Sequence, residues 1–147
     1  MAEFFMQFFS NKFIIVPIIT WFCIQSFKVI YELIETKKFN FKRILGAGGM
    51  PSSHTAVAIS LTFLVGKEYG FNSAMFAACL IFSFVIMYDA AGVRRAAGKQ
   101  AAVLNKIAET PGLSKIEVQE RLVEALGHTP FEVIVGAIIG VIVGLIF

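Results

Sequence analysis

Two histidines are the only imidazoles in this 147-residue chain, and each stands just before or at the start of a hydrophobic run. They belong to two of three short polar motifs set into otherwise apolar sequence. Gly48-Gly49-Met50-Pro51-Ser52-Ser53-His54 precedes one run; Asp89-Ala90-Ala91-Gly92-Val93-Arg94-Arg95-Ala96-Ala97-Gly98 leaves another; Gly127-His128-Thr129-Pro130-Phe131-Glu132 opens the last. A helix starting at Pro51-Ser52-Ser53-His54 offers free backbone N–H groups and the positive end of its dipole, an arrangement that holds phosphate. Ser52 and Ser53 add hydroxyl donors, although an ordinary N-cap also accounts for either serine alone. His54, one step inside an apolar helix, is costly to leave without a role, and a titratable group at such a depth points to function.

His128 and Glu132 are four residues apart and share one face of a helix. A carboxylate so placed keeps one ring nitrogen protonated and aims the other outward, which makes a neutral histidine an oriented nucleophile or base. A purely structural His–Glu pair fits the same spacing. Arg94 and Arg95 carry permanent charge on a planar fork suited to phosphate, or else anchor the chain to a membrane surface. About 100° separates them on a helix, so only one faces a shared site. Asp89 is placed to pair with one of them or with a nearby lysine.

The elements that must position these motifs are hydrophobic. The composition is 57% hydrophobic with 16% charged residues, and it includes sixteen Phe, well outside the soluble range. Residues 13–34 carry Lys28 and Glu32 as their only charges and suffice to cross a hydrocarbon core of roughly 30 Å. No small-residue cleavage site follows them, so a cleaved leader is the weaker reading. Further apolar blocks give helices at about 53–69, 71–90 and 130–147, the first being short for a span. A turn at Gly66–Gly70 makes residues 53–90 an antiparallel hairpin. Residues 91–127 read as a cytoplasmic amphipathic helical segment: Ser114-Lys115-Ile116-Glu117 has capping-box spacing, and Leu113, Ile116, Val123 and Leu126 share an apolar face. Gly136, Gly140 and Gly144 form a small-residue ridge for close helix packing.

The expected fold is thus all-α and integral to the membrane, a single domain over 1–147 with about four transmembrane helices. Ten of the thirteen Lys and Arg residues fall in 35–50 and 91–127, which puts those segments in the cytoplasm. Counting crossings then brings all three polar motifs to that same face. The net charge of +3 comes with no basic run interleaved with aromatics, so no nucleic-acid partner is expected. Cys23 and Cys79 have no metal-ligand spacing, and no metal is expected.

Taken together and in this order, the three motifs resemble those of a divergent, small membrane branch of the phosphatidic acid phosphatase type 2 and vanadium haloperoxidase superfamily, from about Lys37 to the C-terminus. The resemblance implies that His54 is the general acid and that His128 attacks phosphorus to give a phosphohistidine, with Glu132 orienting it. No cofactor takes part. Ser53 stands where the superfamily has Gly, and Glu132 where it has Asp. A first motif of Lys followed seven residues later by Arg-Pro is missing: Lys37, Lys42 and Arg43 are nearby but differently spaced. Leu122 occupies the place of an arginine six residues before the nucleophile, with Arg121 one position away. Arg94 or Arg95 is then the cation that takes over phosphate binding, with Lys42 and Arg43 as further candidates. Four spans, against six in the superfamily's membrane phosphatases, leave room for a homo-oligomer that completes the bundle. The function implied is a metal-independent phosphatase of the plasma membrane acting on a lipid-linked phosphate, such as a polyprenyl phosphate or phosphatidic acid, from the cytoplasmic face. The alternative is a non-catalytic binder or transporter of lipid phosphates that retains the anion pocket.

Overall fold

The structure, a computed structural model, describes residues 1–37, 49–110, 122–124 and 126–147. Lys42, Arg43, Gly48, Arg121 and the capping box at Ser114–Glu117 lie outside the described residues. Among those described, the secondary structure is helical, with no strand. A short helix α1 (Ala2–Ser10) stops at Asn11, whose extended backbone and side-chain oxygen, accepting from Phe13 N–H at 3.0 Å, start α2 (Lys12–Thr36). At 25 residues α2 is roughly 37 Å long, enough to cross a bilayer core. A left-handed Lys37 ends it, its N–H bonded to Leu33.

Helix α3 (Ser53–Tyr69) is central and is packed by α2, α4 and α6. Its position explains its composition. Ser60 and Thr62 are fully buried, and their hydroxyls are satisfied by the carbonyls of Val57 and Ala58 at 2.9 and 2.8 Å; Thr62 also meets Ser83 Oγ across the helix pair at 2.8 Å. Polar side chains that would be costly against lipid are acceptable on a helix surrounded by protein. The chain reverses not at Gly66–Gly70 but at Gly70–Ser73, where Gly70 takes φ +90° and Ser73 N–H reaches its carbonyl at 3.1 Å. Gly66 is still within α3, and the Phe71 ring occupies the space where a Cβ would be. Phe63, Phe71 and Phe76 then pack edge-to-face around the turn, with centroids 5.1 to 6.2 Å apart.

Helix α4 (Ala74–Ala91), capped by the Ser73 side chain, distributes its residues inside out. Ser83 and Ala90 are its buried members, whereas Ile81, Phe82, Phe84, Val85 and Tyr88 are exposed. An apolar surface of this extent is solvated by lipid, not water. By length and composition α2 and the run beginning with α4 are each able to cross a membrane, and α6 is a shorter apolar helix. After a break at Gly92, α5 (Val93–Glu109) continues from α4.

The expected helical segment over 91–127 is therefore only partly helical among the described residues. Leu122, Val123, Glu124 and Leu126 lie outside any helix, and Val123 and Leu126 are exposed and do not share a helical face. The physical reason is buried Asn105 on α5. Its amide donates to Leu122 C=O at 2.9 Å and to Glu124 Oε1 at 2.8 Å, while its oxygen accepts from Leu122 N–H at 3.0 Å. Those bonds replace a helical ladder and lay the segment as a strap across α5. Gly98 permits the close crossing: a Cβ there would lie 2.5 Å from Glu124 O.

Helix α6 (Pro130–Ile146) carries the glycine ridge. Gly136, Gly140 and Gly144 face Ser52, Ala56 with Ile59, and Ser60 with Phe63 in turn. Contacts that advance together along both chains mean parallel helices, so α3 and α6 begin at the same end of the bundle. At the other end Lys12 pairs with Glu68, Phe13 stacks on Tyr69, and Lys67 Nζ donates to the terminal carbonyls of Leu145 and Ile146. Replacing Gly136 by Ala is expected to place a methyl 2.6 Å from Ser52 O, a backbone atom that cannot swing aside. Destabilisation of about 1–3 kcal/mol should appear as a lowered Tm in detergent, with a loss of site function beyond it because the displaced turn carries His54.

Candidate active site

Three contacts tie the polar motifs together. Ser52 N–H donates to Glu132 C=O at 3.1 Å, joining the start of α3 to the first turn of α6. His128 N–H donates to Ala90 C=O at 2.9 Å, joining the strap to the end of α4. Gly127, at φ +86°, makes the bend that aims the next residue inward, and the Arg95 backbone sits where any Cβ at that position would go. A left-handed glycine packed against backbone admits no larger residue. The motifs read separately from the sequence thus lie at one end of the bundle, held by main-chain bonds.

His128 is 4% exposed, and its Nδ1 lies 2.8 Å from Glu132 Oε2. An ionised carboxylate only accepts, so Nδ1 carries the hydrogen, and in the neutral ring the lone pair is then on Nε2. Glu132 is itself fixed by a reciprocal cap: its N–H donates to Thr129 Oγ1 at 3.3 Å, and the same Oε2 accepts from Thr129 N–H at 3.4 Å. One carboxylate therefore starts the helix and orients the imidazole. His54, exposed on the first turn of α3, lines a small cavity with Ala90, Arg94, Gly127 and His128.

The arginines separate cleanly. Arg94 lines that cavity and is held by Asp89, Nε to Oδ2 at 2.6 Å, which also settles the partner of Asp89. Arg95 is half-buried against the strap, its backbone filling the space beside Gly127. The two serines differ from expectation. Ser52 is fully buried; its Oγ accepts from Thr55 N–H at 3.4 Å and Thr55 Oγ1 at 3.0 Å, and its backbone packs on Gly136. Ser53 is 4% exposed. Neither serine lines the cavity shared by the histidines; Ser52 is taken up by the α3–α6 contact and the helix cap, and Ser53 is buried.

A second cavity adjoins the first. An apolar groove of about 570 Å³ runs between α2, α3 and α4, walled by Trp21, Val57, Leu61 and Phe82, and His54, Ile86 and Arg94 border both spaces. That volume is of the size that holds an organic ligand. Sequence reasoning did not find the groove, since its walls are apolar residues scattered over three helices.

The profile of the divergent PAP2 family matches residues 9–143. The chain belongs to the divergent PAP2 family. An uncharacterised membrane protein of Bacillus subtilis strain 168, YuiD, is 38% identical to the chain over an alignment covering 83% of this chain and 84% of that protein. No solved structure matches the chain. The family match spans all three polar motifs, so the histidines, Glu132 and Arg94 lie within the matched residues. Among the described residues no cluster of three or more His, Cys, Asp or Glu side chains is arranged to hold a metal ion.

Proposed function

We propose that this divergent PAP2 protein is an integral membrane phosphatase that hydrolyses a lipid-linked phosphate monoester or diphosphate through a phosphohistidine. The observation that carries the reading is a shared border: the small cavity lined by the oriented imidazole of His128 and the apolar groove have His54, Ile86 and Arg94 in common. A phosphate on a long hydrocarbon has both characters in one molecule. Its head group meets Arg94 while its tail lies along Trp21, Leu61 and Phe82.

In this reading His128 Nε2 attacks phosphorus, the bond to the ester oxygen breaks, and His54 delivers a proton to the departing alkoxide. His54 then takes a proton from water, whose oxygen attacks the phosphohistidine; the N–P bond breaks and phosphate leaves with His128 restored. Glu132 holds the Nδ1 hydrogen throughout and stabilises positive charge on the ring. The abundance of Lys and Arg in 35–50 and 91–127 supports a site on the cytoplasmic face of a four-span bundle.

The test is phosphate release from lipid phosphates of decreasing chain length, in detergent and with EDTA present. Release that persists in EDTA and falls by at least about tenfold in kcat/KM as the tail shortens is the expected result. Well-folded protein that binds the lipid phosphates and releases none would overturn the enzyme in favour of a binder or transporter.

A further inference from the structure

Helix α2 carries an inward stripe at four-residue spacing: Val16, Thr20, Ile24 and Lys28, with exposures of 7, 4, 5 and 2%. The first three are what a membrane helix buries against its neighbours. The fourth is an ammonium group two turns inside the end of the helix. An apolar side chain would pack there at far lower cost, so a buried lysine in such a helix points to function.

Its level in the bundle follows from the helix register. Helices α2 and α3 are antiparallel, with Lys12 against Glu68 and Phe13 stacked on Tyr69. Both helices rise about 1.5 Å per residue, so equal counts from these contacts stay level. Eight residues on from Phe13 is Trp21, and eight back from Tyr69 is Leu61; both line the apolar groove, as the register requires. Sixteen residues on from Lys12 is Lys28, and sixteen back from Glu68 is Ser52; fifteen from the aromatic pair ends at Lys28 and His54. Lys28 also lies seven residues from Trp21, two turns along the same face. The helix that walls the groove with Trp21 therefore brings a buried positive charge level with the first turn of α3.

We propose that Lys28 is an electrostatic element of this site, supplying positive charge to the phosphate from within the bundle on the α2 side while Arg94, which lines the cavity, supplies it from the α4–α5 side. The inference rests on the reading of the pocket as a phosphate site. A second cation has a reason to be there, because Asp89 offsets part of the Arg94 charge at 2.6 Å, while a phosphate ester brings up to two negative charges. Electrostatic influence of both Arg94 and Lys28 on His54 agrees with the placement. Because α2 also walls the groove, the same helix senses the hydrocarbon and the charged head group, which suits a substrate with both on one chain.

The experiment is calorimetric binding of inorganic phosphate to the detergent-solubilised full chain, with KM and kcat for a lipid phosphate measured in parallel. Lys28→Met, similar in length and uncharged, is expected to weaken phosphate binding and raise KM at least tenfold with Tm retained, whereas Lys28→Arg stays within about threefold of wild type. Unchanged binding in a folded Lys28→Met, or equal losses in Lys28→Met and Lys28→Arg, would overturn the role of the charge. If neither Lys28→Met nor Lys28→Gln folds, the lysine belongs to the architecture and the proposal fails. Wild type that binds phosphate without hydrolysing lipid phosphate, with binding lost in Lys28→Met, would leave Lys28 standing and overturn the phosphatase. Wild type that binds no phosphate would remove both.

Discussion

His128→Ala is expected to lower phosphate release from a lipid phosphate by at least about 10³-fold, the loss falling on kcat, with the protein still folded in detergent. The size of the effect follows from the role. In the proposed reaction the nucleophile that forms a covalent intermediate has no substitute, since the other imidazole is assigned to proton transfer, and loss of such a group removes most of the catalytic advantage. Retention of the fold follows from the bonds around the residue. His128 is anchored through its main chain, N–H to Ala90 C=O, and Gly127 rather than the ring determines the bend. Truncation to Ala leaves both in place, together with the Thr129–Glu132 cap. The ring is nevertheless 4% exposed, so its removal opens a small void and a Tm decrease of a few degrees is expected. Acid-labile, base-stable phosphate retained on wild-type protein after rapid quenching, and absent from the variant, is the companion measurement. Equal turnover in wild type and His128→Ala would assign the His–Glu pair to structure alone.

How far the sequence reached depends on whether a property lies along one helix or between helices. His128 and Glu132 are four residues apart on α6, and the bond between them is a consequence of helical spacing that needs no tertiary information. The glycine ridge on α6 is likewise local in origin, and it permits the close packing on α3. Crossing counts brought the three motifs to one face because an odd or even number of turns is legible in hydropathy. What a single helix cannot reveal is register. Lys28 reads as one charge in an apolar run, and its level with His54 appears only when the Lys12–Glu68 and Phe13–Tyr69 contacts fix the sliding of α2 on α3. The groove is of the same kind, since Trp21, Leu61 and Phe82 come from three helices. Arg94 and Arg95 could not be distinguished until the strap through Gly127 occupied the Arg95 side. The strap itself was hidden by an apolar spacing that suits a helix; one buried side chain, Asn105, outweighs it by taking both backbone groups of Leu122. Ser52 and Ser53 offered hydroxyls that the sequence could not know were buried inside the bundle, where Ser52 Oγ accepts from Thr55.

Glu132→Gln should separate the two tasks that one carboxylate performs, lowering kcat roughly 10²–10³-fold while leaving Tm within about 2 °C of wild type. Gln is accepted at the third position of a capping box, its carbonyl still able to receive the Thr129 N–H, so the start of α6 survives. The Ser52 N–H bond to residue 132 uses the main-chain carbonyl and is untouched. What disappears is the negative charge 2.8 Å from His128 Nδ1. An amide can present its NH₂ to the ring as readily as its oxygen, and the first choice places the imidazole hydrogen on Nε2, the atom that attacks phosphorus in the proposed reaction. Even in the productive tautomer the amide does little to stabilise the positive charge that develops on the ring as the N–P bond forms. Glu132→Ala removes the cap as well and is expected to lose both Tm and activity, so the pair of variants forms an internal control. A Glu132→Gln protein with wild-type kcat would mean that the carboxylate serves the helix start alone, and that His128 is oriented by the strap and the Ala90 carbonyl without it.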